Sequence, residues 1–232
     1  RRRADARRAL REALAYFDHP RVGALALPFT NCVRGEYRPA MLASPPDERV
    51  WCVPHYVGTA HALARDLFLE LGGYSSSLIH WGEEEEYSRK LWGAGYIVRT
   101  AATPPIIHYP SPVGRSEWRR RVLGWRNLYM MELWYTPLRH LPYGLARASG
   151  KWGKTVLKTP GLKNKLLDAA AVVQGVGAAL THLPARNPLS VEADRVYLRV
   201  RGAKCVLLDE IELAMPAQRF GPVEIGTESP GA

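Results

Sequence analysis

The chain has 232 residues, of which 47% are hydrophobic and 23% are charged, which is typical of a folded globular protein and excludes a disordered one. Its net charge of +10 indicates an anionic partner: nucleic acid, an anionic membrane surface or a sugar diphosphate. The three cysteines, Cys32, Cys52 and Cys205, have no metal-ligand spacing, which predicts reduced thiols in a cytosolic protein. No apolar run reaches the ~18 residues that a membrane-spanning helix needs.

The first elements predict an α/β unit. Residues 4–17 have the apolar spacing of an amphipathic helix, and residues 22–29 read as one mostly buried strand. Residues 31–54 contain several glycine and proline breakers and are predicted to be loop, with a short strand at 50–53.

A segment of small residues comes next. Gly58, Thr59 and Ala60 precede a predicted helix at 61–71 that ends at Gly72-Gly73. Small side chains let a substrate approach the backbone closely, which favours a binding role for this segment. A plain strand-to-helix turn is an equally good interpretation.

The clearest element is a helix that follows Gly82. Tyr87, Leu91 and Ala94 recur at helical spacing, Gly95 stands at the position of a left-handed C-cap, and residues 96–98 begin a strand.

The four glutamates that open this helix are not equivalent. Glu85 has Arg89 four residues on, and Glu86 has Lys90, so both pairs have ion-pair spacing. Glu83 and Glu84 have no such cation, and the helix N-terminus favours their ionised form. A carboxylate held there beside a glycine is suited to accept a proton from a hydroxyl. The alternative is an ordinary acidic first turn.

Two further candidate regions follow. His108 ends a short strand, where histidine is more often packed or hydrogen-bonded than a metal ligand. Residues 115–135 form a basic helix with interleaved aromatic residues, a pattern that suits single-stranded nucleic acid or, more commonly, a packed apolar face with arginines in solvent. We therefore disfavour nucleic acid as a partner.

The remaining chain carries no motif. Residues 137–161 are predicted to be a linker or surface segment, and residues 162–182 an amphipathic helix. Residues 196–200 are predicted to be an edge strand or a strand in a hairpin with 205–208. The last dozen residues are predicted to be disordered. The apolar positions of the helix are expected to face inward, namely Leu162, Leu166, Ala169 or Ala170, Val173 and Leu180. The basic region 151–183 also suits an anionic membrane surface, but packing on its own domain is the preferred interpretation.

The order of these segments resembles a known family. The run from His55 to Phe68, the Gly72-Gly73-Tyr74 end, Trp81 to Tyr96, Pro104 to Tyr109 and Trp125 to Tyr129 together resemble the acceptor-side half of a family 2 glycosyltransferase with the GT-A fold. The resemblance covers about residues 14–135. It implies a partial GT-A α/β domain, Rossmann-like in type, at 1–136. The residue patterns described above add a basic linker and helix at 137–185 and a small β segment with a tail at 186–232.

The resemblance also implies an activity. An inverting, non-processive enzyme of bacterial type would transfer a sugar from a nucleotide-sugar to an acceptor hydroxyl on a glycan or lipid-linked acceptor, in cell-surface polysaccharide or glycolipid synthesis. Glu84 falls where the family has the catalytic Asp and Glu83 where it has a Glu, and the choice between them stays open. The acceptor pocket would be lined by Trp81, Gly82, Gly58 and Thr59.

The donor side of the resemblance is incomplete. Arg120, Arg121 or Arg126 would meet the leaving diphosphate, and His108 would help to hold Mn²⁺ or Mg²⁺. The family's Asp-x-Asp motif and its preceding nucleotide-binding strands are not in the sequence, so we expect the chain to be the C-terminal part of a longer enzyme or a subunit of one. The expected location is the cytoplasm, with peripheral contact at the inner face of the membrane. The second hypothesis is a non-catalytic module that binds an anionic glycan, lipid headgroup or nucleic acid.

Overall fold

The computed structural model describes residues 11–33, 36–38, 45, 47–78, 81–109 and 116–211, and the fold below concerns these residues. The first part of the predicted helix at 4–17, the predicted disordered tail and Arg115 lie outside them. Residues 11–15 are helical and form α1.

A five-stranded mixed sheet lies at the centre, in the order β5-β1-β6-β4-β8. Its inner pair, β1 and β6, is parallel, and the outer pairings are antiparallel. Residues 22–26 and 97–100 are buried along their whole length, as expected for strands covered on both faces. The strands are β1 Val22–Ala26, β4 Trp51–Val53, β5 His61–Leu63, β6 Ile97–Thr100 and β8 Val206–Leu207.

A smaller sheet has the order β3-β2-β7 and consists of β2 Phe29–Val33, β3 Glu36–Arg38 and β7 Ile106–His108. The single strand predicted at 22–29 is therefore wrong in its extent. Pro28 has no N–H for a ladder, and the chain passes there from the first sheet to the second. The predicted loop at 31–54 is also wrong for β2 and β3, whereas the short strand predicted at its end is confirmed as β4.

Seven helices occur within the described residues, which confirms the predicted α/β class; the GT-A assignment remains a prediction. After α1 come α2 Arg65–Glu70, α3 Glu83–Gly93, α4 Glu117–Tyr135, α5 Leu141–Lys158, α6 Leu162–Thr181 and α7 Val191–Ala203. In the part of the chain that the structure describes, no helix is both long and apolar enough to cross a membrane.

The helix predicted at 61–71 begins later than expected. Residues 61–63 pair with β1, with Leu63 opposite Ala24, so the chain extends the sheet before α2 starts at Arg65. The predicted glycine stop is confirmed, because Gly72 and Gly73 have positive φ angles of 76° and 55°.

The linker predicted at 137–161 is wrong, since α5 occupies most of it. Pro142 stands in the first turn, where its missing N–H costs no helical hydrogen bond. Ala148 is buried, and Leu145 and Trp152 pack against the core. Tertiary packing therefore overrides the glycine and proline content of this segment.

The strand predicted at 196–200 is also wrong, because this segment lies in α7. The Ser190 side chain caps the helix by accepting a hydrogen bond from the N–H of Ala193. Ala193, Tyr197 and Val200 are buried at helical spacing. The expected small β segment reduces to β8, which pairs with β4 of the main sheet instead of forming a hairpin.

Helix α6 is confirmed, but the face that it buries is opposite to the predicted one. Leu162, Leu166, Val173 and Leu180 are 73%, 62%, 73% and 49% exposed. The buried positions are Asp168, Ala171, Gly175 and Ala179. Small residues face α4 because the two helices lie so close that a β-carbon at position 175 would be 2.6 Å from the backbone nitrogen of Arg126.

Candidate functional site

The site predicted from the sequence is built around the start of α3. Gly82 is the N-cap with a φ of 107°, and Trp81 before it has a φ of 68°, an uncommon angle for a residue with a side chain. The side-chain amide of Asn127 in α4 donates a hydrogen bond to the carbonyl of Trp81. A β-carbon on Gly82 would lie 3.0 Å from Cε of Met131. Helix α4 therefore fixes the chain at the point where α3 begins.

Two of the predicted site residues, Gly58 and Glu84, are far apart in the sequence but meet in the structure. Gly58 is exposed and lies in the turn between Val57 and Ala60. The carboxylate of Glu84 reaches over it so closely that a β-carbon at position 58 would overlap Oε1 of Glu84. The predicted acceptor segment and the predicted catalytic residue are thus in contact.

Glu85 and Glu86 have structural partners, as their spacing predicts. Glu85 lies 3.1 Å from Arg89, and Glu86 lies 2.8 Å from Lys90. Glu86 also accepts a hydrogen bond from Tyr135. These contacts distinguish Glu85 and Glu86 from Glu84, whose half-buried carboxylate has no ion pair within the described residues.

His55 is a residue that the sequence analysis did not assign to the site. It follows β4, and burial lowers the pKa of its imidazole. The charges around it act in both directions, since Glu85 and Glu84 raise this pKa whereas Arg201 and Arg89 lower it. Its Nδ1 is buried without a hydrogen-bond partner in the described part of the chain. Its sequence signals are its position shortly after the strand predicted at 50–53 and at the start of the run to Phe68 that contributes to the family resemblance.

Thr59 and Trp81 complete the predicted acceptor pocket. Thr59 is half-buried beside Gly58, and the Trp81 side chain is 48% exposed. The guanidinium of Arg120 lies over the Trp81 ring, 5.7 Å from its centroid, in a cation–π contact. An exposed aromatic ring therefore stands next to the start of α3.

The three arginines predicted to bind diphosphate contact different parts of the structure. Only Arg120 lies at Trp81. Arg121 forms an ion pair of 2.8 Å with the buried Asp168 of α6. Arg126 donates to the carbonyl of Ser77 at 2.7 Å, and burial lowers the pKa of its guanidinium. Arg121 and Arg126 thus have structural roles in this arrangement.

His108 ends β7 as predicted and belongs to the smaller sheet. Its Nδ1 lies 2.7 Å from Oδ1 of Asn31, and its ring packs edge-on against Phe29. In the described ranges, no group of three His, Cys, Asp or Glu side chains is arranged to hold a metal ion. Among the described residues, His108 therefore has no second and third ligand for a metal, and the divalent metal stays a prediction.

A scan against models of known protein families and a search of curated proteins each found no match. The interpretation of the site therefore depends on the residues and their arrangement.

A buried network of charged side chains joins α3 to the helices around it. Arg89 is 1% exposed and lies 2.9 Å from Glu132 of α4 and 3.1 Å from Glu85. Arg147 of α5 binds the same Glu132 oxygen at 2.6 Å, and Arg201 of α7 binds Glu85 at 3.0 Å. Four helices converge on this network, so the start of α3 is held by a rigid scaffold.

Burial alone would raise the pKa of Glu85 and of Glu132, but the neighbouring arginines reverse its effect. Arg201 and Arg89 lower the pKa of Glu85, and Arg89 and Arg147 lower that of Glu132. Both carboxylates are therefore ionised and committed to the scaffold. Glu83 and Glu84 stay the predicted candidates for the base, and of these two Glu84 is the one that contacts Gly58.

Proposed function

We propose that this chain forms the acceptor side of an inverting glycosyltransferase, in which Glu84 is the general base. The observation that carries the proposal is the position of the Glu84 carboxylate against exposed Gly58. A glycine there leaves room for an acceptor next to the carboxylate, because any side chain would displace it.

The proposed chemistry is a single displacement. The acceptor oxygen attacks the anomeric carbon of a nucleotide-sugar while its proton passes to Glu84. The bond from that carbon to the diphosphate oxygen breaks, and the nucleoside diphosphate leaves with the electron pair. One displacement inverts the anomeric configuration, and a carboxylate without an ion pair is suited to take the proton.

The surrounding residues would orient the acceptor. The exposed ring of Trp81 offers an apolar face for a sugar, and Arg120 beside it supplies positive charge near the leaving group. The neutral His55 imidazole lies near Glu84 without carrying charge into the site. The donor nucleotide, and any metal that accompanies its diphosphate, would be held by residues outside the described ranges or outside this chain.

The alternative is a non-catalytic module that binds an anionic glycan, lipid headgroup or nucleic acid. The net charge of +10 favours it, and it predicts binding that weakens steeply with salt and does not require Glu84.

The decisive experiment uses the gene product that contains this chain. Release of nucleoside diphosphate is measured with a panel of nucleotide-sugars and glycan or lipid-linked acceptors. Glu84→Gln should lower turnover by about 10²–10⁴-fold while donor binding persists. Asp66→Asn is the matched control, since Asp66 is also an acidic residue in a first helical turn but is exposed. Wild-type turnover by Glu84→Gln would reject the proposal. Salt-sensitive ligand binding without turnover by any variant would establish the module.

A further inference from the structure

The outer face of α6 has an apolar stripe that nothing in the described structure covers. Leu162, Leu166, Val173 and Leu180 recur along this face, and each is about half or more exposed, from 49% to 73%. The opposite face packs on α4 through small residues. Contiguous exposed apolar surface of this kind marks an interaction site, since its contact with water is unfavourable.

The same region is almost free of negative charge. Asp168 is the only acidic residue between positions 133 and 191, and it is 2% exposed and paired with Arg121. The basic residues of this region are Arg139, Arg147, Lys151, Lys154, Lys158, Lys163, Lys165 and Arg186. The two helices α5 and α6 therefore carry a clear excess of positive charge.

The turn between α5 and α6 brings the two features together. Leu157 is 78% exposed and precedes the exposed Lys158, and Leu162 precedes the exposed Lys163. Along α5, a groove of about 470 Å³ is lined by residues that include Lys151, Lys154 and Lys158. Exposed leucines and exposed lysines are thus neighbours at the turn that joins α5 and α6.

The positive charge of α5 and α6 distinguishes between two candidate partners, a second copy of the chain and an anionic bilayer. A second copy of the chain would bring an equally positive surface against the stripe, and the lysines would repel. An anionic bilayer supplies an apolar boundary for the leucines and negative headgroups for the lysines. We propose that the outer face of α6, with the lysines of α5 and α6, docks this protein on an anionic phospholipid bilayer, with α6 lying in the plane of the membrane surface.

The test measures co-sedimentation of the 232-residue chain with vesicles of phosphatidylcholine, with and without about a third phosphatidylglycerol. Binding is expected with the anionic vesicles only, and it should weaken as salt rises from about 0.1 M to 0.5 M. Leu166→Glu, which introduces a charge at the centre of the stripe, should lower the partition coefficient at least tenfold. Lys158→Ala with Lys163→Ala should lower it about 25-fold, since each surface cation contributes roughly fivefold.

Leu69→Glu is the matched control, because Leu69 is 59% exposed on α2, outside the proposed surface. It should bind vesicles as the wild type does. Circular dichroism melts of each variant show whether it is folded, and light scattering without vesicles gives the oligomeric state. Equal binding by Leu166→Glu and wild type, or no binding to anionic vesicles, overturns the proposal. A dimer that Leu166→Glu dissociates, without vesicle binding, would identify a second copy as the partner.

This proposal is independent of the glycosyltransferase activity, since vesicle binding is measured without donor or acceptor. Glu84→Gln should bind vesicles normally. The loss of turnover in Glu84→Gln and the loss of vesicle binding in Leu166→Glu therefore test the two proposals separately.

Discussion

Arg89 of α3 and Glu132 of α4 form a buried ion pair, with 2.9 Å between Nη2 and Oε1 and 1% exposure of each side chain. The two residues are 43 positions apart, so the pair joins helices that come together only in the tertiary structure. It directly supports the helix whose first turn carries Glu84.

Replacement of Arg89 by leucine should destabilise the protein severely. The change leaves Glu85 and Glu132 buried with fewer cations, and removal of one partner of a buried pair typically costs about 3–5 kcal/mol. Urea unfolding followed by circular dichroism measures the change. Arg65→Leu is the control, because the Arg65–Asp66 pair is 82% and 72% exposed and its loss should change the free energy of unfolding by less than about 1 kcal/mol. Similar losses for both variants would contradict the structural role of the network.

Gly58→Ala should separate activity from stability. Gly58 is not among the residues with positive φ, so the backbone tolerates alanine, but the new β-carbon displaces the flexible end of Glu84. We expect a change in unfolding free energy of less than about 1 kcal/mol and a loss of turnover of at least about tenfold, since small misplacement of a base is costly. Thermal melts and nucleoside-diphosphate release measure the two effects. Unchanged turnover with a displaced carboxylate would remove the support for Glu84 as the base.

Two glycines of α6 should respond oppositely to alanine. At Gly175 the β-carbon would lie 2.6 Å and 2.9 Å from the backbone N and Cα of Arg126, and these atoms cannot move independently of α4. Gly175→Ala should therefore destabilise by about 1–3 kcal/mol. At Gly177 nothing lies within 4 Å, so alanine should stabilise by about 0.5–1 kcal/mol through helix propensity. Chemical unfolding of the pair tests the packing, which would be refuted if Gly175→Ala were as stable as the wild type.

His55 should make stability depend on pH in the mildly acidic range. Burial lowers the pKa of His55 below the ordinary value of 6.5, so the unfolded chain binds a proton at a pH where the folded chain does not. The folded state therefore loses stability as the pH falls below about 6.5, down to the lowered pKa of the folded state. The free energy of unfolding, measured by urea titration from neutral to mildly acidic pH, should fall less steeply for His55→Gln than for the wild type. His19, whose pKa burial also lowers, is present in both proteins and contributes equally. Identical slopes would show that His55 is not buried in its neutral form.

Contacts within one helix could be predicted from the sequence. The Glu85–Arg89 and Glu86–Lys90 pairs, the buried face with Tyr87 and Leu91, and the stop at Gly95 all follow from the helical period over a few residues. The contact of Gly58 with Glu84 could not be derived in this way, because it depends on how β4, the 57–60 turn and α3 are placed relative to one another.

The sequence by itself determined the α/β class, α3 with its glutamates, the strands β4 and β6, and the existence of α6, since these depend on local spacing and capping. Only the tertiary structure decided that 141–158 is helical, that 191–203 is helical and not strand, and which face of α6 is buried. The physical reason is that local spacing determines where the apolar side chains of a helix lie, whereas the face that is buried depends on how closely the neighbouring helix can approach. In α6 the close approach of α4 at Gly175 favours small residues on the buried face, where Ala171 and Ala179 also lie, and the larger leucines face outward.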